Sequence, residues 1–181
     1  MRKLKIFCVL VILFSSQSVS VAQRHFPNLD RVSEAVEGRI KKEKPEWSPK
    51  SVKPVSVDET TNTDAVKIQR WVFGRQSVKV AIVQHKSEEE AISDLRQFAV
   101  AQKSNNQVRG LGDEAYVWGL RNAIAFRKGN LTIYVSAVVV KNINPAEGIN
   151  TIKEAAQAEH AEAGKLIRGF AQHAAAALAS L

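Results

Sequence analysis

Gly110-Leu111-Gly112-Asp113-Glu114-Ala115-Tyr116 is the stretch whose residue types come nearest to a chemical motif. Two adjacent carboxylates behind paired glycines could ligate a hard cation such as calcium, or serve as a general acid and base. The spacing argues against both. Adjacent residues on a strand point to opposite faces, so the two carboxylates would not converge. The string also lacks the repeated oxygen ligands of a calcium loop. The expected role is structural: a glycine turn in which Asp113 accepts from the local backbone, followed by the start of a strand.

The histidines are His25, His85, His160 and His173. His160 and His173 fall on one predicted helix but on different faces, more than three turns apart. No spacing gathers zinc ligands, and no H-E-x-x-H occurs. His85 has Ser87 and Glu88 beside it, but triads are assembled by geometry and not by adjacency. The sequence contains no G-x-S-x-G, no S-x-x-K and no phosphate-binding glycine loop. It designates no catalytic, cofactor-binding or metal residue. Trp47, Trp71 and Trp118 could line a groove, but large aromatics more often fill a core, which is the expectation here. Arg70, with apolar neighbours on its own strand face, is the one charge that the strand pattern leaves unexplained. It marks an edge, a pocket or a buried pair. Asn130-Leu131-Thr132 matches a glycosylation sequon in a turn, which carries little weight if the host is bacterial.

Charge and compartment narrow the partners. Arg2, Lys3 and Lys5, the apolar run Ile6 to Phe14, and Ser20-Val21-Ala22 form an export signal with a cleavage position after Ala22. The apolar run is far shorter than the roughly 20 residues of a membrane span. Cleavage would remove Cys8, the one cysteine of the chain. The remainder then has no disulfide and no thiol chemistry, which suits a bacterial envelope protein, periplasmic or secreted. Of the 26 basic residues the signal holds three, leaving 23 against 18 acidic ones, a net charge of +5. These charges are scattered, which makes nucleic acid a poor partner. Arg39, Lys41, Lys42 and Lys44 form the one basic cluster. They close a helix whose dipole favours cations there. The alternative is a patch for anionic lipid or polymer, with steep salt dependence.

The elements that would position these residues follow from periodicity and turn chemistry. Residues 23–64 comprise a helix and an extended linker. The helix runs from Asn28 to Lys44 with Leu29, Val32, Val36 and Ile40 as its stripe. Pro49 and Pro54 keep the linker out of any central strand. An edge strand is expected near Val55 and Val57, then a polar loop from Asp58 to Asp64. Residues 65–181 form the main domain. Ala65 to Phe73 and Ser77 to His85 make a hairpin about Gly74-Arg75-Gln76, with Val78, Val80 and Ile82 on one face. Ser87 and Glu90 open a second helix as a capping box, with Ile92, Leu95, Phe98 and Ala99 buried.

Asp113 to Trp118, Ala123 to Arg127 and Leu131 to Val140 make a three-strand meander through turns at Gly119–Asn122 and Lys128–Asn130. Asn144, Pro145 and Glu147 start a last helix. Its stripe runs Ile149, Ile152, Ala156, Ala163, Leu166, Ile167, Phe170, Ala174, Ala177 and Leu178. Gly164 and Gly169 each cost a helix about 1 kcal/mol, so either the helix breaks there or a neighbour packs closely. The alanine-rich end from Ala171 would fray or serve as a docking face. The predicted class is α+β, with a single mainly antiparallel sheet covered by helices.

The Gly-Leu-Gly-Asp-Glu-Ala-Tyr string, the strand after it, Phe126-Arg127-Lys128-Gly129 and the long apolar strand resemble a pattern in small exported bacterial proteins of unknown function. Some of those look like the PsbP-type α/β/α sandwich. The resemblance covers about Ala65 to Val140. It implies an exported α+β domain and carries no catalytic residue or cofactor across. The expectation is a non-enzymatic envelope module that presents a surface to a protein or small ligand. The alternative is a small exported hydrolase with residues gathered from separate strands, in which a histidine would meet a carboxylate in a pocket.

Overall fold

The structure is a computed structural model that describes residues 28–50, 65–104, 106–118, 123–141 and 149–181. The export signal with Ala22, His25, the Val55–Val57 strand, the 58–64 loop, the Gly119–Asn122 turn and the Asn144–Glu147 cap lie outside the described residues.

Helix α1 (Leu29–Glu43) is capped by Asn28, whose side chain accepts from Asp30 N, and it buries Leu29, Val32, Val36 and Ile40. Strand β1 (Ser48–Lys50) is three residues long and holds Pro49. Proline cannot donate to a ladder, so this position suits an edge. Strands β2 (Ala65–Phe73) and β3 (Gln76–Gln84) form the expected hairpin. Its loop is two residues and not three, which pairs Phe73 with Gln76 and shifts the expected register by one. Helix α2 (Glu88–Ala101) starts at Ser87, whose hydroxyl accepts from Glu90 N. It buries Ala91, Leu95 and Ala99, while Ile92 and Phe98 stay half-buried. The two-residue strand β4 (Asn106–Gln107) has no signal in the sequence pattern. Then come β5 (Glu114–Trp118), β6 (Ala123–Lys128), β7 (Leu131–Val139) and α3 (Ile149–Ala179).

The class is α+β. One antiparallel sheet runs β1-β2-β3-β7-β6-β5-β4. On its inner face Trp71, Val78, Val80, Ile82, Ile124, Phe126, Ile133 and Val135 meet the stripes of α1 and α3 in one core. On its outer face Leu95 of α2 packs on Ala123 and Ala125, with Phe98, Tyr116 and Tyr134 around them. Strand β6 is therefore buried on both sides, from Ala123 to Arg127. Trp47 and Trp71 lie in the core, and Phe170 of α3 touches both rings, at 5.0 and 6.3 Å between centroids. The Trp118 side chain is outside the described part.

Two expectations about α3 are overturned. The helix is continuous through Gly164 and Gly169, and nothing lies within 4 Å of a Cβ added at either. Neither a break nor a close neighbour explains them. The alanine-rich end is also no frayed tail. Ala171, Ala174, Ala177 and Leu178 are buried, because small residues let α3 approach α1 closely. It is the first part of the helix that overhangs: no residue from Ile149 to Glu162 is buried. That stretch is tied down by polar contacts, Lys141 N to Glu159 at 2.6 Å and Gln76 to Glu162.

Candidate functional site

The Gly110–Tyr116 string is structural, but not in the local manner expected. Gly112 has φ +58°, and a Cβ there would lie 2.1 Å from the Arg127 carbonyl oxygen. Only glycine lets the chain pass so close to β6. Asp113 then accepts from Gly129 N at 2.9 Å and from Lys128 Nζ at 2.9 Å, at the end of β6 and in the turn after it, distant in sequence. Arg127 is buried beneath them. Its Nη1 donates to Glu88 at 2.9 Å, to the Gly129 carbonyl at 3.1 Å and to Asp113 at 3.4 Å. Glu114 turns to separate partners, Arg96 at 3.1 Å and Tyr116 at 2.7 Å. The two carboxylates serve different cations and present no common ligand position. Burial alone would raise the Asp113 carboxyl. The hydrogen bonds from Gly129 and Lys128 outweigh it and hold the group below its ordinary value. For Glu114 burial is likewise outweighed, by Arg96 and Tyr116.

His85 is buried at the end of β3. Its Nε2 lies 2.9 Å from Thr132 Oγ1 and 3.5 Å from Asp94 Oδ2. Tyr134 donates to the same Asp94 oxygen at 2.5 Å, and Asn130 Nδ2 donates to the His85 carbonyl at 2.7 Å. A histidine beside a carboxylate is thus present. In a hydrolytic triad, however, the hydroxyl and the carboxylate occupy opposite ring nitrogens. Here both approach Nε2, and Thr132 is fully buried, out of reach of a substrate. The cluster joins β3, β7 and α2. His160 and His173 lie on α3, away from His85, and His173 sits near Glu43, Lys44 and Arg39 of the α1 end. Among the described residues no three His, Asp or Glu side chains converge to hold a metal ion.

The Arg39–Lys44 cluster is partly neutralised on its own helix. Arg39 pairs with Glu43 at 3.1 Å and Lys41 with Glu37 at 2.6 Å, each one turn apart.

A feature with binding geometry lies on the outer face. Helix α2 packs on β6 and β7. Among the described residues no helix covers the outer side of β1, β2 and β3. Where α2 ends, a cleft of about 570 Å³ opens between Phe98 and Gln102 of the helix and Lys79, Ala81, Tyr134, Ser136 and Val138 of the sheet. The Phe98 and Tyr134 rings meet edge-on at 5.0 Å and form its back wall. Val138 lies at its rim, 58% exposed.

Across this surface the register sets one row of residues: Lys50 opposite Arg70, Arg70 opposite Lys79, and Lys79 opposite Ser136. Directly opposed residues share a face at about 5 Å spacing. Three exposed cations therefore stand side by side and lead to the cleft. None of them has an ion-pair partner among the described residues. Arg70 is the middle of that row and not part of a buried pair. Of these residues the sequence pattern singled out Arg70 alone. Comparison of the chain with protein-family models, with curated proteins and with solved structures returns no match.

Proposed function

We propose that this protein is a non-enzymatic binding module of the bacterial cell envelope, exported through residues 1–22, and that the outer-face cleft takes its ligand. The observation that carries this reading is the incomplete cover of the sheet. Among the described residues one face is closed by two helices, whereas the other has one helix and a cleft of about 570 Å³ beside the exposed Val138. Ligand sites commonly have volumes of roughly 300–1,000 Å³ with mostly apolar walls and a few polar groups. Ala81, Phe98, Tyr134 and Val138 supply such walls, and Lys79 and Ser136 supply such groups. The likeness to exported α/β/α proteins agrees with this reading and adds no residue to it.

The test is thermal unfolding of the full chain with a panel of lipids, sugars, metals and metabolites. A ligand at about 100 times its Kd adds roughly 2.7 kcal/mol, which raises the midpoint by several degrees at about 2–4 °C per kcal/mol. The expected result is a shift with one apolar or amphiphilic class, lost in Val138→Asp. A flat panel with a cooperative transition would remove the cleft as a small-ligand site and turn the search to a protein partner.

A second reading, a small hydrolase, draws on the contact of His85 with Asp94. The shared nitrogen and the buried Thr132 count against it. Ester hydrolysis by the wild type that is lost in His85→Gln, with the fold intact, would restore it.

A further inference from the structure

The cleft and the cation row are contiguous. Lys79 belongs to both, and Ser136 continues the row into the cleft. The rows on either side are apolar or small: Ile68, Ala81 and Tyr134 on one side, Val72, Ser77 and Val138 on the other. Like charges placed directly opposite one another in a sheet destabilise it. Some exposed cations of this molecule have acidic neighbours, as Lys67 has Asp30 at 2.7 Å and Arg96 has Glu114 at 3.1 Å. In the Lys50–Arg70–Lys79 row no cation forms an ion pair with a carboxylate among the described residues. The local fold thus carries an electrostatic cost that a bound anion would relieve. The apolar cleft adjoining the row gives that anion a hydrophobic tail to go with its charge.

We infer that the ligand is a single anionic amphiphile, with one acyl chain in the cleft between Phe98 and Val138 and its acidic headgroup on Lys79 and Arg70. This rests on the binding role proposed for the cleft. The net charge of +5 that remains after residue 22 favours encounter with an anion. A single amphiphile is favoured over a bilayer surface because Phe98, Tyr134 and Val138 line one cleft directly beside the cations.

The experiment titrates the full chain with decanoate, with decanol, which has the same chain and no charge, and with phosphatidylglycerol vesicles. Decanoate is expected to bind once per chain and more tightly than decanol. Lys79→Gln and Arg70→Gln should each weaken decanoate by about fivefold, the upper end for an exposed ion pair. Added salt should weaken it too, and decanol should respond to neither change. Ala81→Trp and the exposed Val138→Asp should remove both probes. Equal binding of decanoate and decanol, or indifference of decanoate to Lys79→Gln, would overturn the anionic headgroup while leaving the cleft a binding site. Binding to vesicles without binding of monomeric decanoate would overturn the single-amphiphile assignment. Failure of both probes on the wild type would remove the binding role of the cleft itself.

Discussion

On the inner face of the sheet Val78, Val80 and Ile82 are fully buried under α1 and α3. On the outer face of the same strand Lys79 is exposed and Ala81 and Val83 are half-buried. One strand thus serves a closed core with one set of alternate residues and an open surface with the other. The inner residues are large and branched and have their area removed from water by partners within the chain. Of the outer ones Ala81 is small, Val83 stays half-buried, and Lys79 is charged with no ion-pair partner among the described residues. This division separates what holds the protein together from what is available to bind.

The comparison can be broken by substitution, starting where the effect is largest. Phe170→Ala, in the inner core, should cost about 3–5 kcal/mol in urea unfolding. Phe98→Ala, in the half-buried outer wall, should cost about 1–2 kcal/mol, because less area returns to water. Equal losses would erase the distinction between the faces. Gly112→Ala should cost about 1–3 kcal/mol, since it forces a side chain into a left-handed backbone and against a carbonyl. A neutral result by the same measurement would mean that the turn is free to move.

Acid should act on the network around Arg127. Asp113 and Glu114 are both held below their ordinary values in the fold. Folding therefore favours their ionised forms. That contribution is complete above the ordinary carboxylate range of about 4 and is lost as the pH falls through the depressed folded values. Asp113→Asn should show a shallower loss of stability across this acid window than the wild type, as read by unfolding at stepped pH. Parallel curves would count against the network.

Gly164→Ala, on the half-exposed part of α3, should stabilise the chain by about 1 kcal/mol, because nothing meets the added methyl. The smallest effect belongs to the outer row. Arg70→Thr should raise stability by up to about 1 kcal/mol through relief of the like-charge contact. A loss on that substitution would mean that Arg70 supports the fold and is not held for a ligand.

Much of the fold was legible because local signals agreed. The stripe Leu29, Val32, Val36 and Ile40 is the buried face of α1, and Ser87 opens α2 as its spacing with Glu90 required. The overhang of α3 was not legible, since periodicity reports which side of a helix is apolar and not how far the sheet beneath it extends. The candidate site was hidden by one residue. A three-residue loop about Gly74-Arg75-Gln76 sets Arg70 opposite Val80. The observed two-residue loop sets it opposite Lys79. A single step of register decides whether two cations share a face. Lys50 joins the row only through pairing of β1 with β2, across a connector that local pattern cannot fold. Asp113 was read as a local turn residue because its partners, Lys128 and Gly129, are brought to it by the sheet.

The most direct test of the division between faces is methyl NMR of the full chain, with and without saturating decanoate. The account predicts that the methyl signals of Ala81 and Val138 shift while those of Val78, Val80 and Ile82 stay in place. Equal shifts on both faces, or movement of the inner methyls alone, would contradict it.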